Sequence, residues 1–232
     1  MRIFGGRQGV LALAAAVGLV LIVLGILSQR PDPPAAGPDQ GSLDPSATTS
    51  TTDSGAPAPS AEADDSPAEA DDPPPLGPSR PLSVSVPAIE VASDLLQLGT
   101  TDDGTLAVPQ PGPDLDKAAW LEDSPTPGQP GPSVIEGHVS TAENGPSIFF
   151  DLAELEIGDK IDVRREDGTR VEFTVYATRE FDKDSFPTKL VYGGDLGTPT
   201  LRLVTCSSFD PDIGHHTGNL VVFSRLTDVR EG

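Results

Sequence analysis

From Pro81 onward the chain consists of short runs in which apolar and polar residues alternate, and turn residues separate the runs. Such alternation is typical of strands that bury one face. Two of the runs flank Asp167-Gly168, a pair that favours a tight hairpin. Many short strands in about 150 residues predict an all-β fold, a closed or nearly closed barrel. The predicted strands are 82–86, 133–136, 160–165, 170–176, 200–206 and 219–226.

Helical material is slight in this part of the chain. We predict one turn near 117–121, one within 147–155 and one within 185–192. Asp102-Asp103-Gly104 predicts a further turn between strands. Neither an internal repeat nor a phosphate-binding or dinucleotide-binding loop is visible.

The N-terminal segment predicts a membrane anchor over residues 1–28. Arg2 and Arg7 precede an uncharged apolar run, 10–27, whose length as a helix is about 27 Å, enough for a bilayer core. Basic residues on this side keep the N-terminus in the cytoplasm, so the rest of the chain lies outside the cell. A cleaved signal peptide is the alternative. We favour a retained anchor because Ser28-Gln29-Arg30 is a poor cleavage site.

Residues 29–80 are rich in Pro, Ala, Ser, Thr and Asp and contain almost no large apolar residue. Such a segment cannot bury enough surface to offset its chain entropy, which predicts a disordered stalk before a folded domain over 81–232. The domain has 26 acidic and 11 basic residues, a net charge of −15. This excess of negative charge excludes a nucleic-acid partner.

Cys206 is the only cysteine of a chain that the anchor predicts to be exported. Exported proteins normally pair their cysteines, so a lone thiol needs a functional reason. His138 and Arg225 lie at the ends of two other predicted strands. We predict that Cys206 is the nucleophile of an acyl transfer, that His138 exchanges protons, and that Arg225 stabilises the oxyanion or holds the substrate backbone.

Each of these residues also has a plainer interpretation. Cys206 could be a buried structural thiol, His138 an exposed loop histidine, and Arg225 a surface arginine at a strand end. His215-His216 suggests a metal pair, but no cysteine or acidic cluster at ligand spacing accompanies it. We therefore predict no metal and no cofactor, and place the two histidines in a loop that borders the cleft. Trp120 is predicted to pack in the core or at its rim.

In sequence order, several motifs of the domain resemble sortases, the membrane-anchored cysteine transpeptidases of Gram-positive bacteria, and most of all the class F type. The motifs are Leu82–Pro87 with Ala88-Ile89-Glu90-Val91, Gly128-Gln129-Pro130-Gly131-Pro132, Gly137-His138, Leu155-Glu156-Ile157-Gly158-Asp159, Asp184-Ser185-Phe186-Pro187-Thr188, Leu201–Cys206 and Leu220–Leu226. Two positions depart from the family pattern. Ser140 stands where an aspartate is common, and Ser207-Ser208 stand where glycines are common.

The resemblance implies a closed barrel of about eight strands and cleavage of an LPXTG-like sorting signal between Thr and Gly. The acyl group would pass from Cys206 to an amine of a cell-wall precursor, to a pilin lysine or to water. Thr205 would contact the substrate. The alternative is a non-catalytic, surface-tethered β-domain that binds protein or glycan. An L,D-transpeptidase would need a Ser-His-Gly-Cys motif, which is absent.

Overall fold

The computed structural model describes residues 32–35, 37–44, 72–101, 105–142 and 144–232. The predicted anchor over 1–28 and the Asp102-Asp103-Gly104 turn lie outside these residues. In the part of the chain that is described, no helix is long and apolar enough to cross a membrane.

The described residues form an all-β fold, as the alternating runs predicted. The strands are β1 Gln40–Gly41, β2 Pro81–Val86, β3 Val91–Leu98, β4 Ala118–Leu121, β5 Gly131–Glu136, β6 Ser140–Thr141, β7 Gly145–Pro146, β8 Lys160–Arg165, β9 Thr169–Asp182, β10 Pro199–Asp210 and β11 His215–Glu231. Eight of them close into a barrel in the order β8-β2-β3-β4-β5-β10-β11-β9, and β9 pairs with β8 to complete the ring. Neighbouring strands are antiparallel except for the pairs β3–β4 and β5–β10.

Short helical turns connect several strands. Three 3-10 turns cover Pro87–Ile89, Leu152–Glu154 and Lys183–Ser185, and one short α-helix, α1, covers Thr188–Val191. The predicted turns within 147–155 and 185–192 are confirmed. The predicted turn near 117–121 is wrong, because Ala118–Leu121 is strand β4. All four of its residues are buried, so the run lacks the alternation that marks a strand with one exposed face.

Apolar side chains pack on both faces of the sheet. The barrel interior holds the larger cluster, which includes Phe149, Leu155, Phe173 and Leu203. A second cluster covers the outer face of β5, β10 and β11 and includes Val134, Val204, Val221 and Phe223, with Val191 of α1 packed over them. Because side chains alternate along a strand, residues of the same parity as Val134 and Val204 also face outward. Glu136 and Cys206 are two such residues.

Two described pieces of the predicted stalk contact the barrel. Gln40 and Gly41 pair with Thr178 and Ala177 of β9. The Leu76 N–H donates to the Gly128 carbonyl at 2.8 Å. Sequence composition does not reveal these backbone hydrogen bonds. Each piece also packs one leucine, Leu43 or Leu76, against an apolar cluster of the barrel. The predicted limit between stalk and domain at residue 80 stays a prediction.

Candidate active site

Cys206 lies in β10, opposite Asn219 of β11. The strand was predicted to end at the cysteine, but it continues through Asp210. The thiol is half-buried and belongs to no disulfide. Its strand parity places it on the outer face with Val204, at the edge of the outer apolar cluster. The thiol is therefore partly accessible to solvent, and the outer apolar cluster lies on one side of it.

Two hydrogen bonds fix the histidine segment to the cysteine strand. The Gly137 N–H donates to the Val204 carbonyl at 3.2 Å, and the Thr205 hydroxyl donates to the Gly137 carbonyl at 2.8 Å. Gly137 and Thr205 are the residues that directly precede His138 and Cys206. The predicted proton carrier and the predicted nucleophile are therefore held at the same end of the parallel pair β5–β10.

His138 also contacts the loop before β4. Its Nε2 lies 2.9 Å from the carbonyl oxygen of Pro109. A carbonyl oxygen only accepts, so Nε2 carries the hydrogen of this bond. In the neutral ring the other nitrogen, Nδ1, is then free to accept a proton. The loop thus selects the tautomer with the basic nitrogen at Nδ1.

Cys206 and His138 line one cavity of about 470 Å³. The loop before β4 covers one side of it, and the ends of β5 and β10 form the floor. Lys183, directly after β9, and Tyr192, directly after α1, contribute from the other side. The lining residues are Thr105, Leu106, Val108, Pro109, Glu136, Gly137, His138, Lys183, Tyr192, Val204, Thr205, Cys206 and Asn219. Most of this surface is apolar, with a thiol, an imidazole, a carboxylate and an ammonium set into it. A cleft with such groups suits a peptide and a covalent reaction.

The family model described as "Sortase domain" matches residues 84–229, more than half of the chain. The chain belongs to the sortase family. It is accordingly an enzyme, a cysteine transpeptidase of the sortase type. No curated protein sequence matches the chain.

Solved structures similar to this sortase include sortases of two types. Sortase A of Listeria monocytogenes is 18% identical over 67% of this chain and 92% of its own, with a TM-score of 0.49. Sortase A of Corynebacterium diphtheriae is 22% identical over 65% of this chain and 61% of its own, with a TM-score of 0.48. Sortase C of Streptococcus pneumoniae is 20% identical over 64% of this chain and 69% of its own, with a TM-score of 0.47.

The structure does not bring Arg225 to the active-site cavity of this sortase. Arg225 pairs with Thr200 at the start of β10, whereas Cys206 pairs with Asn219. Six residues of strand separate the two positions, a distance of about 20 Å. The register therefore does not bring Arg225 beside the thiol, and its predicted catalytic role stays a prediction. The sequence predicts Arg225 at the end of a strand, but β11 runs from His215 to Glu231. The residue of β10 that Arg225 faces could therefore not be read from the sequence.

A different cation contacts the thiol. The Lys183 Nζ lies 3.4 Å from the Cys206 Sγ. Lys183 begins the 3-10 turn that follows β9, and it precedes Cys206 by 23 residues. The sequence did not reveal this residue as part of the site, because only the pairing of β9 with β11 and of β11 with β10 brings it there.

The carboxylate of the cavity is unusual for its burial. Glu136 is 9% exposed, and its Oε1 accepts no hydrogen bond from any described residue. Burial raises the pKa of Glu136 to about 7. Burial also raises the pKa of Tyr192 to about 12, and the negative charge of Glu136 contributes to that rise. Both residues line the cavity, and burial disfavours the charged form of each.

The remaining predicted residues lie at the margin. His215 and His216 begin β11 and pair with Asp210 and Phe209, so they are strand residues and the predicted loop position is wrong. Burial lowers the pKa of His216, and the charge of Lys183 lowers it further. Over the described ranges, no three His, Cys, Asp or Glu side chains are arranged to hold a metal ion. Trp120 is buried, and its Nε1 donates to the Pro125 carbonyl at 3.4 Å, which confirms the predicted packing role.

The two departures from the family pattern are both accommodated. Ser208 adopts a left-handed backbone with φ of 53°, a conformation that favours glycine. Its hydroxyl donates to Glu180 of β9, which holds the segment after the cysteine against the barrel. Ser140 lies in the two-residue strand β6, opposite Pro146.

Proposed function

We propose that this sortase cleaves an LPXTG-like sorting signal through a thioacyl-enzyme intermediate on Cys206, with His138 as the proton carrier. The acyl group then passes to an amine, of a cell-wall precursor or of a pilin lysine, or to water. The observation that supports this proposal is the shared cavity of Cys206 and His138, which the Thr205–Gly137 hydrogen bond holds together.

The first half of the reaction forms the intermediate. The Cys206 thiolate attacks the carbonyl carbon of the scissile peptide bond, a C–S bond forms, and the carbonyl electron pair moves to oxygen. When this pair returns, the C–N bond breaks and the departing amine takes a proton from the His138 imidazolium. The products of this half are a thioester, a free amine and a neutral histidine.

The second half restores the enzyme. An incoming amine attacks the thioester carbon and gives one proton to the neutral His138, and the C–S bond breaks to release the thiolate. The hydrogen bond from Nε2 to Pro109 leaves Nδ1 to accept this proton. Proton and charge balance therefore close over the two halves without any other group.

Thr205 is the proposed substrate contact of the cysteine strand. It is 5% exposed and lines the cavity, and its hydroxyl donates to Gly137. Since the hydroxyl has this partner, the contact to a peptide would come from the methyl group. A methyl group beside the thiol favours an apolar part of the signal.

The class and the location of the enzyme also belong to this proposal. The order of the motifs supports a class F sortase. The apolar run over 10–27, preceded by Arg2 and Arg7, supports a single-pass anchor with the catalytic domain outside the cell. The stalk over 29–80 would hold the domain of 81–232 above the membrane.

The test is a peptide reaction followed by mass spectrometry. The full-length protein in detergent is incubated with LPXTG-type peptides, with and without an added amine. We expect cleavage after Thr, an enzyme mass increased by the acyl fragment, and a ligated product when the amine is present. Cys206→Ala should give none of these. Cleavage that persists in Cys206→Ala would overturn the proposal, as would a parent enzyme that forms no acyl adduct with any such peptide.

A further inference from the structure

The strand register carries Lys183 to the thiol. Phe181, Asn219 and Cys206 lie in one row across β9, β11 and β10. Lys183 follows Phe181 by two residues and begins the turn at the end of β9. The backbone therefore places Lys183 at the end of this row. Its side chain reaches the thiol, and the Lys183 Nζ lies 3.4 Å from the Cys206 Sγ.

The charge of Lys183 is directed at this site. None of the ion pairs formed among the described residues includes Lys183. Its charge also lowers the pKa of His216, which shows that its field acts on this end of the sheet. The domain as a whole is strongly negative and therefore disfavours a thiolate anion. A cation in contact with the sulfur counters that field locally.

We infer that Lys183 supplies the cation of the active site and holds Cys206 as a reactive thiolate. The inference rests on the proposed function in one respect, namely that Cys206 is the nucleophile. The ammonium keeps its proton throughout the reaction. Its negative partner is the thiolate before the attack and again after the thioester is resolved.

Alkylation of the thiol by iodoacetamide tests this inference without a peptide substrate. Cys206 is the one cysteine of the chain, so the mass increase reports this thiol alone. The rate is measured against pH for the full-length parent, Lys183→Met, Lys183→Arg and, as a matched control, Lys189→Met. Lys189 is an exposed lysine of α1 and does not line the cavity. The other titratable groups near the thiol, His138, Glu136, Tyr192 and His216, are the same in all four proteins.

In Lys183→Met we expect the pH at which the alkylation rate is half-maximal to rise by about one unit or more. The rate at neutral pH should then fall about tenfold. Lys183→Arg should keep most of the parent profile, and Lys189→Met all of it. Superimposed profiles of the parent and Lys183→Met would overturn the inference. A Lys183-dependent profile in an enzyme that cleaves no sorting peptide would leave the inference standing and remove the proposed function.

A second inference starts from an independent observation, the carboxylate of the cavity. Glu136 ends β5, next to Val204 in the parallel pair β5–β10. It is nine-tenths buried, its Oε1 has no hydrogen-bond donor among the described residues, and it lines the cavity with Cys206. Several neighbours in the lining are apolar, among them Leu106 and Val108. A buried acceptor without a donor is costly unless a ligand supplies one.

We infer that Glu136 determines specificity by accepting a hydrogen bond from a substrate side chain that carries an N–H or O–H donor. This inference rests on the proposed function, since the substrate is taken to be a peptide. A site built to accept a hydrogen bond discriminates strongly against an analogue that lacks the donor. Asparagine and leucine have nearly the same shape, so they form a suitable pair of probes.

Binding of peptides to the full-length Cys206→Ala protein tests the second inference. Each position of the sorting signal is occupied in turn by Asn or Leu, and affinities are measured by calorimetry. At one position we expect the Asn peptide to bind about tenfold more tightly or better, and Glu136→Leu should remove or reverse this preference. Glu166→Leu, at an exposed residue in the turn between β8 and β9, is the matched control. Equal Asn-to-Leu ratios with and without Glu136, or no peptide binding at all, would overturn the inference. Cleavage by the protein with Cys206 intact is measured separately and reports on the proposed function.

Discussion

The Thr205 hydroxyl donates a hydrogen bond of 2.8 Å to the Gly137 carbonyl, and this bond joins the residue before the thiol to the residue before the imidazole. Both partners are buried, so the bond has little competition from water. It also crosses from β10 to the segment after β5, two elements that are far apart in the chain. The distance between nucleophile and proton carrier therefore depends on this one contact together with the strand pairing.

Replacing Thr205 tests how much this contact matters. Thr205→Val keeps the shape of the side chain but removes its hydroxyl, so the Gly137 carbonyl loses this hydrogen bond. We expect the free energy of unfolding to fall by about 1–2 kcal/mol. Because only the Gly137–Val204 bond and the strand pairing would then hold His138 near Cys206, kcat should fall about tenfold or more. Thr205→Ser keeps the hydroxyl and should retain most of both, as measured by thermal unfolding and peptide turnover. Equal kcat for Thr205→Val and the parent would show that the bond does not position the site.

Gly137 itself has no room for a side chain. A Cβ at this position would lie 2.6 Å from Ile148 Cγ2 and 2.8 Å from Phe149 Cδ2. Gly137→Ala should therefore lower the free energy of unfolding by about 1–3 kcal/mol. It should also displace His138 and reduce kcat by up to about 10². Gly77→Ala is the control, since a Cβ there meets nothing within 4 Å. A Gly137→Ala enzyme with parental turnover would show that His138 tolerates this shift.

The sequence reveals the elements of this site but not its register. Alternating runs and the Asp167-Gly168 turn are local features, and the strands that they predict are present. The pairing partner of each residue is a non-local property. Since β11 begins at His215, Arg225 falls opposite Thr200, and the apparent strand end gave no sign of this. Lys183 was missed for the same reason, because its neighbour in space is 23 residues away in the chain.

Burial is also hard to read from one residue at a time. Nothing in the sequence marks Glu136 as part of the site, although it lies two residues before the predicted His138. Its parity places it on the outer face, and that face would be exposed on a simple barrel. Here α1 and the loop before β4 cover the outer face, so the carboxylate is buried. Only the packing of these connections shows it.

The raised pKa of Glu136 predicts how its contribution to stability depends on pH. The carboxyl group has a pKa of about 7 in the folded protein, above its ordinary value of 4.5. Between these values the folded state binds more protons than the unfolded state, so stability falls as pH rises through this window and stays low above it. The difference between the two pKa values corresponds to a loss of about 3 kcal/mol in the free energy of unfolding. Glu136→Gln should therefore unfold at a higher temperature than the parent at pH 8.

The same pair of proteins supplies the control for this prediction. Well below pH 4.5 the parent carboxyl is protonated in both states, so Glu136→Gln and the parent should have nearly the same stability there. The difference between their free energies of unfolding should open between pH 4.5 and 7. A difference that does not change with pH would mean that Glu136 finds a partner that neutralises its cost.

Arg165, a deeply buried cation of the barrel, binds the segment before β2. Arg165 is 2% exposed and donates to the carbonyls of Pro127 and Gly77 at 3.1 and 2.7 Å and to Asp167 at 2.9 Å. Arg165→Met removes all three bonds and leaves the carbonyl of the buried Pro127 without this donor, so the free energy of unfolding should fall by about 1–3 kcal/mol. The segment should also loosen, and the Leu76 amide, which donates to Gly128, should exchange its hydrogen faster. Arg164→Met, at an exposed neighbour on β8, is the matched control. Unchanged exchange at Leu76 in Arg165→Met would show that Leu76 and the backbone pairing hold the segment without the guanidinium.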